Sequence, residues 1–151
     1  MESFDQRLQM SERLSVITQR LGFALWQLQE LEGVSAQYFV LLEKASKGMG
    51  LAEGNKLVEK AQSKTFGSTV HQMAKAGLLS SELELRFTNL LSERNWLVHE
   101  SRANSRRAVH NDSSMQQLLI RVNTMAEESN ALLRELGTLA EAYVKKHGVS
   151  D

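Results

Sequence analysis

The chain of 151 residues contains no proline, and this absence limits the folds available to it more than any other feature of the sequence. Proline lacks a backbone N–H and breaks helix interiors, so a chain without it can form long uninterrupted helices. Apolar residues recur along two stretches at the three- and four-residue spacing of amphipathic helices, and no stretch alternates with the period of a strand. The sequence therefore predicts an all-α protein.

The two stretches predict helices of about 35 residues, each about 50 Å long. The first has Ser11 as its N-cap and ends near residues 47–48. The second begins within residues 111–113 and ends at residues 145–148, where basic side chains suit the negative end of the helix dipole. We expect the pair to pack antiparallel as the spine of an up-and-down helical bundle, a single domain over residues 1–151.

Shorter helices are expected between the long ones. They cover residues 52–63 and 68–76, and a third begins at Ser81. Capping-box spacing starts at Thr69 and again at Ser81, because Gln and Glu follow three residues later. Gly77 suits the C-cap of the second short helix.

Composition excludes several classes of protein. The hydrophobic fraction is 42%, and 18 Lys and Arg balance 18 Asp and Glu, so net charge indicates neither nucleic acid nor membrane. No cysteine is present, which excludes disulfides and thiolate chemistry and makes the cytoplasm the expected compartment. The amino terminus is polar and of mixed charge, unlike a signal peptide, and no apolar run is long enough to span a membrane.

Two kinds of ligand site are not expected. Residues 48–56 hold three glycines before Lys56, but their spacing differs from that of a phosphate-binding loop and Leu57 follows the lysine. The segment is interpreted as a loop between helices. We also expect neither a metal nor a cofactor, because the aspartates are few and the histidines lack the spacing of metal ligands. These residues are Asp5, Asp112, Asp151, His71, His99, His110 and His147.

Arg94 interrupts the apolar ladder of the third short helix, between Leu91 and Leu97. A charge on a core-facing position is costly to desolvate unless it is paired. We therefore expect an acidic partner, either Glu93, Glu100 or a glutamate distant in sequence. One interpretation of this segment is purely structural: a buried ion pair, followed by a histidine that ends the helix.

Asn95 and His99 are four residues apart and share a helix face. Arg94 and His99 are five apart, which places them about 140° apart around the helix and about 7.5 Å apart along it. Only the length of the arginine side chain, or a second copy of the helix, brings the two groups to one point. This geometry favours a site formed by a dimer.

A basic segment follows, in which Arg94, Arg102, Arg106 and Arg107 are opposed by Glu100 alone. Two copies in a dimer would concentrate positive potential for an RNA backbone. The alternative is a solvated loop between two helices.

The segment from Arg94 to His99 resembles the motif of the HEPN superfamily, an arginine, a polar residue and a histidine after a few more positions. The stretch of residues 64–78 and the order of long helix, short helices, motif helix and long helix are also similar to that family. The resemblance implies a metal-independent endoribonuclease that acts as a homodimer. Arg94 would stabilise the phosphate, His99 would be the general acid or base on the ribose 2′-OH or the leaving 5′-oxygen, and Asn95 would orient one of them. The chemistry suits these residue types, because guanidinium binds phosphate bidentately and imidazole titrates near neutrality.

Within this resemblance the protein would be a toxin or defence effector that a regulatory protein partner, an antitoxin or a larger assembly, restrains. In a toxin–antitoxin branch of the family, a tyrosine two residues after the motif histidine is nucleotidylated by the partner. Ser101 occupies that position here. The rival hypothesis is a non-catalytic helical module for dimerisation or docking. A third is a nonspecific nucleic-acid binder, for which the chain has few aromatic residues.

Overall fold

The computed structural model describes residues 2–45 and 48–147, and within them it contains six α-helices and no strand. The all-α bundle predicted from the sequence is confirmed. Helix α1 is continued by one π-helical segment, the π turn Val40–Lys44. The α-helices are α1 (Phe4–Phe39), α2 (Leu51–Gln62), α3 (Phe66–Lys75), α4 (Ser81–His99), α5 (Ser101–Ala108) and α6 (Asp112–Lys146).

Helix α1 begins well before the predicted N-cap Ser11. Ser3 is the N-cap, and its side chain accepts a hydrogen bond from the Gln6 backbone while the Gln6 side chain accepts one from the Ser3 backbone. The apolar ladder did not indicate this start, because Phe4 and the rest of the first two turns are exposed. At its other end the helix finishes at Lys44 with the π turn, a few residues before the predicted end near residues 47–48, of which residue 47 lies outside the described residues.

The short helices are present, but their caps differ from the prediction. Thr65 rather than Thr69 caps α3, because its hydroxyl accepts the Ser68 N–H at 3.1 Å. Ser80 rather than Ser81 caps α4. The predicted start of α4 at Ser81 is confirmed, whereas α3 begins at Phe66, two residues before its predicted start. Gly77 follows α3 with a φ of 70°, the left-handed conformation that its predicted role requires.

The two long helices run parallel, which corrects the predicted antiparallel spine. Arg13 of α1 donates to the Val109 carbonyl at 2.9 Å and pairs with Asp112 at the start of α6. Further along, α1 within 20–27 lines a common groove with α6 within 123–130. Residues early in α1 therefore contact residues early in α6, and later residues contact later ones, as in a parallel pair.

Helix α4, which lies between α1 and α6 in the sequence, explains why the two long helices run parallel. Arg86 near its start pairs with Glu128 of α6, whereas Glu93 further along α4 pairs with Arg121, which precedes Glu128. Helix α4 is therefore antiparallel to α6. It is antiparallel to α1 as well, because Tyr38 near the end of α1 donates its hydroxyl to the carbonyl of Leu78, just before α4. The chain therefore reverses direction before α4 and again after it, which leaves α1 and α6 parallel.

The core is formed where α1, α4 and α6 meet, with α3 packed against α1 and α4. Helices α1 and α6 share the most extensive interface in the fold. Fully buried side chains come from each of the three: Ile17, Leu28 and Leu31, then Phe87, then Met125, Leu132 and Leu136. Among the described residues, no helix is both long and apolar enough to cross a bilayer.

Candidate functional site

Arg94 lies on the side of α4 that faces α1, where it forms an ion pair with Glu32. The expected acidic partner is therefore the distant glutamate rather than Glu93 or Glu100. The two side chains retain 30% and 23% of their accessible surface, so the pair is half-buried. Glu32 accepts from Nε of Arg94, and the two terminal nitrogens of the guanidinium make no other hydrogen bond to a described residue.

Glu93 belongs to a different cluster, which joins α4 to α6. Its two carboxylate oxygens accept from Nε and Nη2 of Arg121, both at 2.9 Å. The guanidinium of Arg121 also lies over the ring of Trp96, with its central carbon 3.7 Å from the ring centroid. The hydrogen bonds to Glu93 raise the pKa of Arg121 above its ordinary value. Arg121 therefore remains charged and rigidly held beside the motif helix.

Asn95 and His99 are exposed, on the opposite side of α4 from the core. Their common face is the one that helical spacing predicted. Val98 lies beside them and is 51% exposed, an apolar side chain on an otherwise polar surface. We call these three residues, Asn95, Val98 and His99, the motif face.

The segment after His99, for which a solvated loop was the alternative interpretation, forms helix α5. Its start is tied to α4, because the Ser101 hydroxyl donates to the Leu97 carbonyl. Ser105 and Ala108 are buried against the bundle. Hydrogen bonds from Ser and Thr hydroxyls to earlier carbonyls allow small polar residues to lie in such contacts.

The outer side of α5 carries the basic residues Arg102, Arg106 and Arg107, all exposed. Within residues 2–45 and 48–147, none of the three forms an ion pair, and only Arg107 contacts a side-chain acceptor, Asn104 Oδ1 at 3.5 Å. We call them the arginine surface. It begins three residues beyond His99 in the sequence, across the junction of α4 and α5.

The structure thus divides the sequence-predicted site residues into two groups. Asn95, His99 and the arginine surface are exposed to solvent, whereas Arg94 points toward α1 and is held by Glu32. Sequence reasoning missed Glu32 and Arg121, which are 62 and 28 residues from their partners. No local signal marks them, because both pairs depend on how the helices pack.

The described residues contain no group of three or more His, Cys, Asp or Glu side chains that could hold a metal ion. The side chains near the motif face offer proton transfer through imidazole and anion binding through guanidinium.

Comparison with known proteins adds one partial likeness. No protein-family model matches the chain, and no solved structure matches it. The chain is similar to Protein HEXIM1 of Xenopus laevis, with 30% identity over 99 residues that cover 62% of this chain and 35% of that protein. The chain therefore spans about a third of the length of this relative.

Proposed function

We propose that the protein is a metal-independent endoribonuclease that acts as a homodimer, with a site assembled from two motif faces. The observation that carries the proposal is the state of Arg94. Glu32 holds it through Nε alone, which fixes the guanidinium while leaving both terminal nitrogens available for a phosphate.

The chemistry assigned to the residues is transfer of the phosphate to the neighbouring ribose oxygen. The 2′-oxygen attacks phosphorus, the 5′-oxygen leaves, and the products are a 2′,3′-cyclic phosphate and a 5′-hydroxyl. His99 takes the proton of the 2′-OH or gives one to the 5′-oxygen, and Asn95 orients the imidazole or the ribose. Arg94 neutralises charge that develops on the phosphate, and Arg102, Arg106 and Arg107 hold the flanking RNA backbone.

A second copy is needed because Arg94 and His99 lie about 140° apart around α4. Pairing two copies about a two-fold axis at Val98, which lies one helical turn from Arg94, covers the exposed Val98 side chains and places each His99 near the partner's copy of Arg94. It also brings two arginine surfaces to one cleft. We place such a ribonuclease in the cytoplasm as a toxin or defence effector restrained by a partner protein, a setting consistent with a chain that has no cysteine.

The test is cleavage of total RNA by the purified protein in EDTA. We expect His99→Ala and Arg94→Ala each to reduce the rate by at least about 10²-fold, the range for loss of a general acid or base. His71→Ala is the matched control, because His71 is also exposed but lies on α3, away from the motif face. Cleavage that is absent, or that survives both motif changes, overturns the catalytic proposal.

A second candidate is a non-catalytic helical module for dimerisation or docking. The Arg94–Glu32 ion pair also favours this candidate if its role is structural, because the half-buried contact joins α1 to α4 within one chain. The two functions differ in the expected effect of Glu32→Gln. The module predicts lost stability and no nuclease activity in the wild type, whereas the ribonuclease predicts cleavage by the wild type that Glu32→Gln weakens.

A further inference from the structure

A cleft of about 700 Å³ lies between the end of α1, helix α2 and helix α3. It is separate from the motif face, which is on the solvent side of α4. Apolar side chains form part of its lining, among them Phe39, Val40 and Leu57. A volume of this size is within the range of small-molecule sites.

Lysines surround this apolar surface. Lys44, Lys60, Lys64 and Lys75 all line the cleft, and Glu43 is the one carboxylate among its lining residues. None of the four lysines forms an ion pair within the described part of the chain. The protein as a whole has as many acidic as basic residues, so four lysines against one glutamate is a local concentration of positive charge. An anion entering the cleft would be attracted from several sides.

The π turn contributes directly to this arrangement. The N–H of Ala45 donates to the carbonyl of Val40 at 2.7 Å, the five-residue hydrogen bond of a π-helix. In an α-helix, residues five apart point about 140° away from each other. The wider turn instead brings Lys44 over Phe39, with the ammonium 5.9 Å from the ring centroid. Short π segments occur often at functional sites, and this one turns a lysine toward the apolar lining.

We propose that this cleft binds a small amphipathic anion, with an apolar body against Phe39, Val40 and Leu57 and a phosphate or carboxylate group held by the lysines. Apolar contact gives affinity for the body, and the lysines select its charge. The site is independent of the endoribonuclease activity proposed above.

The test uses two fluorescent probes that share a similar apolar body. The first is 8-anilinonaphthalene-1-sulfonate, an anion, and the second is the uncharged N-phenyl-1-naphthylamine. We expect saturable binding of one anionic probe per chain, with a dissociation constant at least about tenfold lower than that of the uncharged probe, a difference that shrinks at high salt. Equal affinity for both probes, or binding that does not saturate, overturns the proposal.

Variants locate the site. Lys60→Gln combined with Lys64→Gln removes two exposed lysines that line the cleft, and we expect at least about tenfold weaker binding of the anionic probe. Lys56→Gln is the matched control, because Lys56 is on the same helix but pairs with Glu53 at 3.9 Å and does not line the cleft. Unchanged affinity in the double variant, or an equal loss in the control, contradicts the assignment.

Displacement of the bound anionic probe then distinguishes phosphate ligands from carboxylate ligands. Octyl phosphate and octanoate are titrated against the bound probe, with octanol as the uncharged comparison. Displacement by either anion but not by octanol supports the site, and the stronger competitor identifies the preferred group. Equal displacement by octanol indicates an apolar surface without charge selection and overturns the proposal.

Discussion

Arg94 and Glu32 join the motif helix to the first helix through a single hydrogen bond from Nε. Removing the acidic partner leaves a half-buried guanidinium without compensation. Because both side chains retain part of their exposure, we expect Glu32→Ala to lower the free energy of unfolding by about 1–2 kcal/mol, less than for a fully buried pair. Urea denaturation measures the loss. A double-mutant cycle with Arg94→Gln isolates the pair, and a coupling energy near zero would contradict this account.

Val98 is the apolar centre of the motif face, and the proposed homodimer buries it. We expect Val98→Asp to convert the dimer to monomers and to abolish RNA cleavage, because a carboxylate would be desolvated opposite its own copy. Sedimentation velocity measures the first effect and cleavage in EDTA the second. Leu85→Asp is the matched control, since Leu85 is exposed on the same helix but lies several turns from His99. A dimer that tolerates Val98→Asp would rule out this interface.

Ser35 is fully buried, and its hydroxyl has no hydrogen-bond partner among the described residues. A buried polar group without a partner costs free energy that an alanine would not. We expect Ser35→Ala to raise the free energy of unfolding by about 0.5–1 kcal/mol. Ser129 is equally buried, but its hydroxyl donates to the Met125 carbonyl at 2.8 Å, so Ser129→Ala should bring no such gain. Thermal and urea unfolding of both variants check the contrast, and destabilisation by Ser35→Ala would refute it.

The hydroxyl of Tyr38 makes the free energy of unfolding depend on pH in the alkaline range. Burial raises the pKa of its hydroxyl above the ordinary value of 10.0. The folded protein therefore holds the phenolic proton more tightly than the unfolded chain. This adds to the free energy of unfolding below pH 10, and the added stability is lost as pH rises through the folded pKa. We expect the free energy of unfolding to fall above pH 10 in the wild type and to fall less steeply in Tyr38→Phe. Identical slopes in the two proteins would show that this hydroxyl is not responsible.

The N-terminal cap of α1 can be tested at one amide. Ser3 accepts the Gln6 N–H at 3.2 Å, so Ser3→Ala should speed hydrogen exchange of that amide by about fivefold, which corresponds to about 1 kcal/mol. Ser11→Ala removes the N-cap that the sequence predicted, yet Ser11 lies inside the helix. Exchange at Gln6 should not change in that variant, and a larger effect from Ser11 would restore the predicted start.

Local patterns in the sequence were sufficient for the helices but not for their arrangement. The three- and four-residue ladder predicted α4 and α6 well, because buried positions set it. The exposed first turns of α1 carry no such signal, and α5 buries mainly Ser105 and Ala108, a polar and a small residue that produce no ladder of large apolar side chains. For the site, spacing correctly placed Asn95 and His99 on one face. Helical spacing could not identify Glu32 as the partner of Arg94, because this pairing depends on how helices distant in sequence pack together.

The parallel direction of α1 and α6 also bears on how the chain folds. Their contacts near Arg13 join residues 96 and 99 positions apart, and a parallel pair keeps that separation large along its whole length. Contacts between α4 and α6 join residues only 28 to 49 positions apart. Closing shorter loops costs less entropy, so we expect the contacts between α1 and α6 to form later than those between α4 and α6. On this basis the most extensive interface of the protein assembles late, and we expect substitutions at the α1–α6 contacts to alter the rate of unfolding more than the rate of folding.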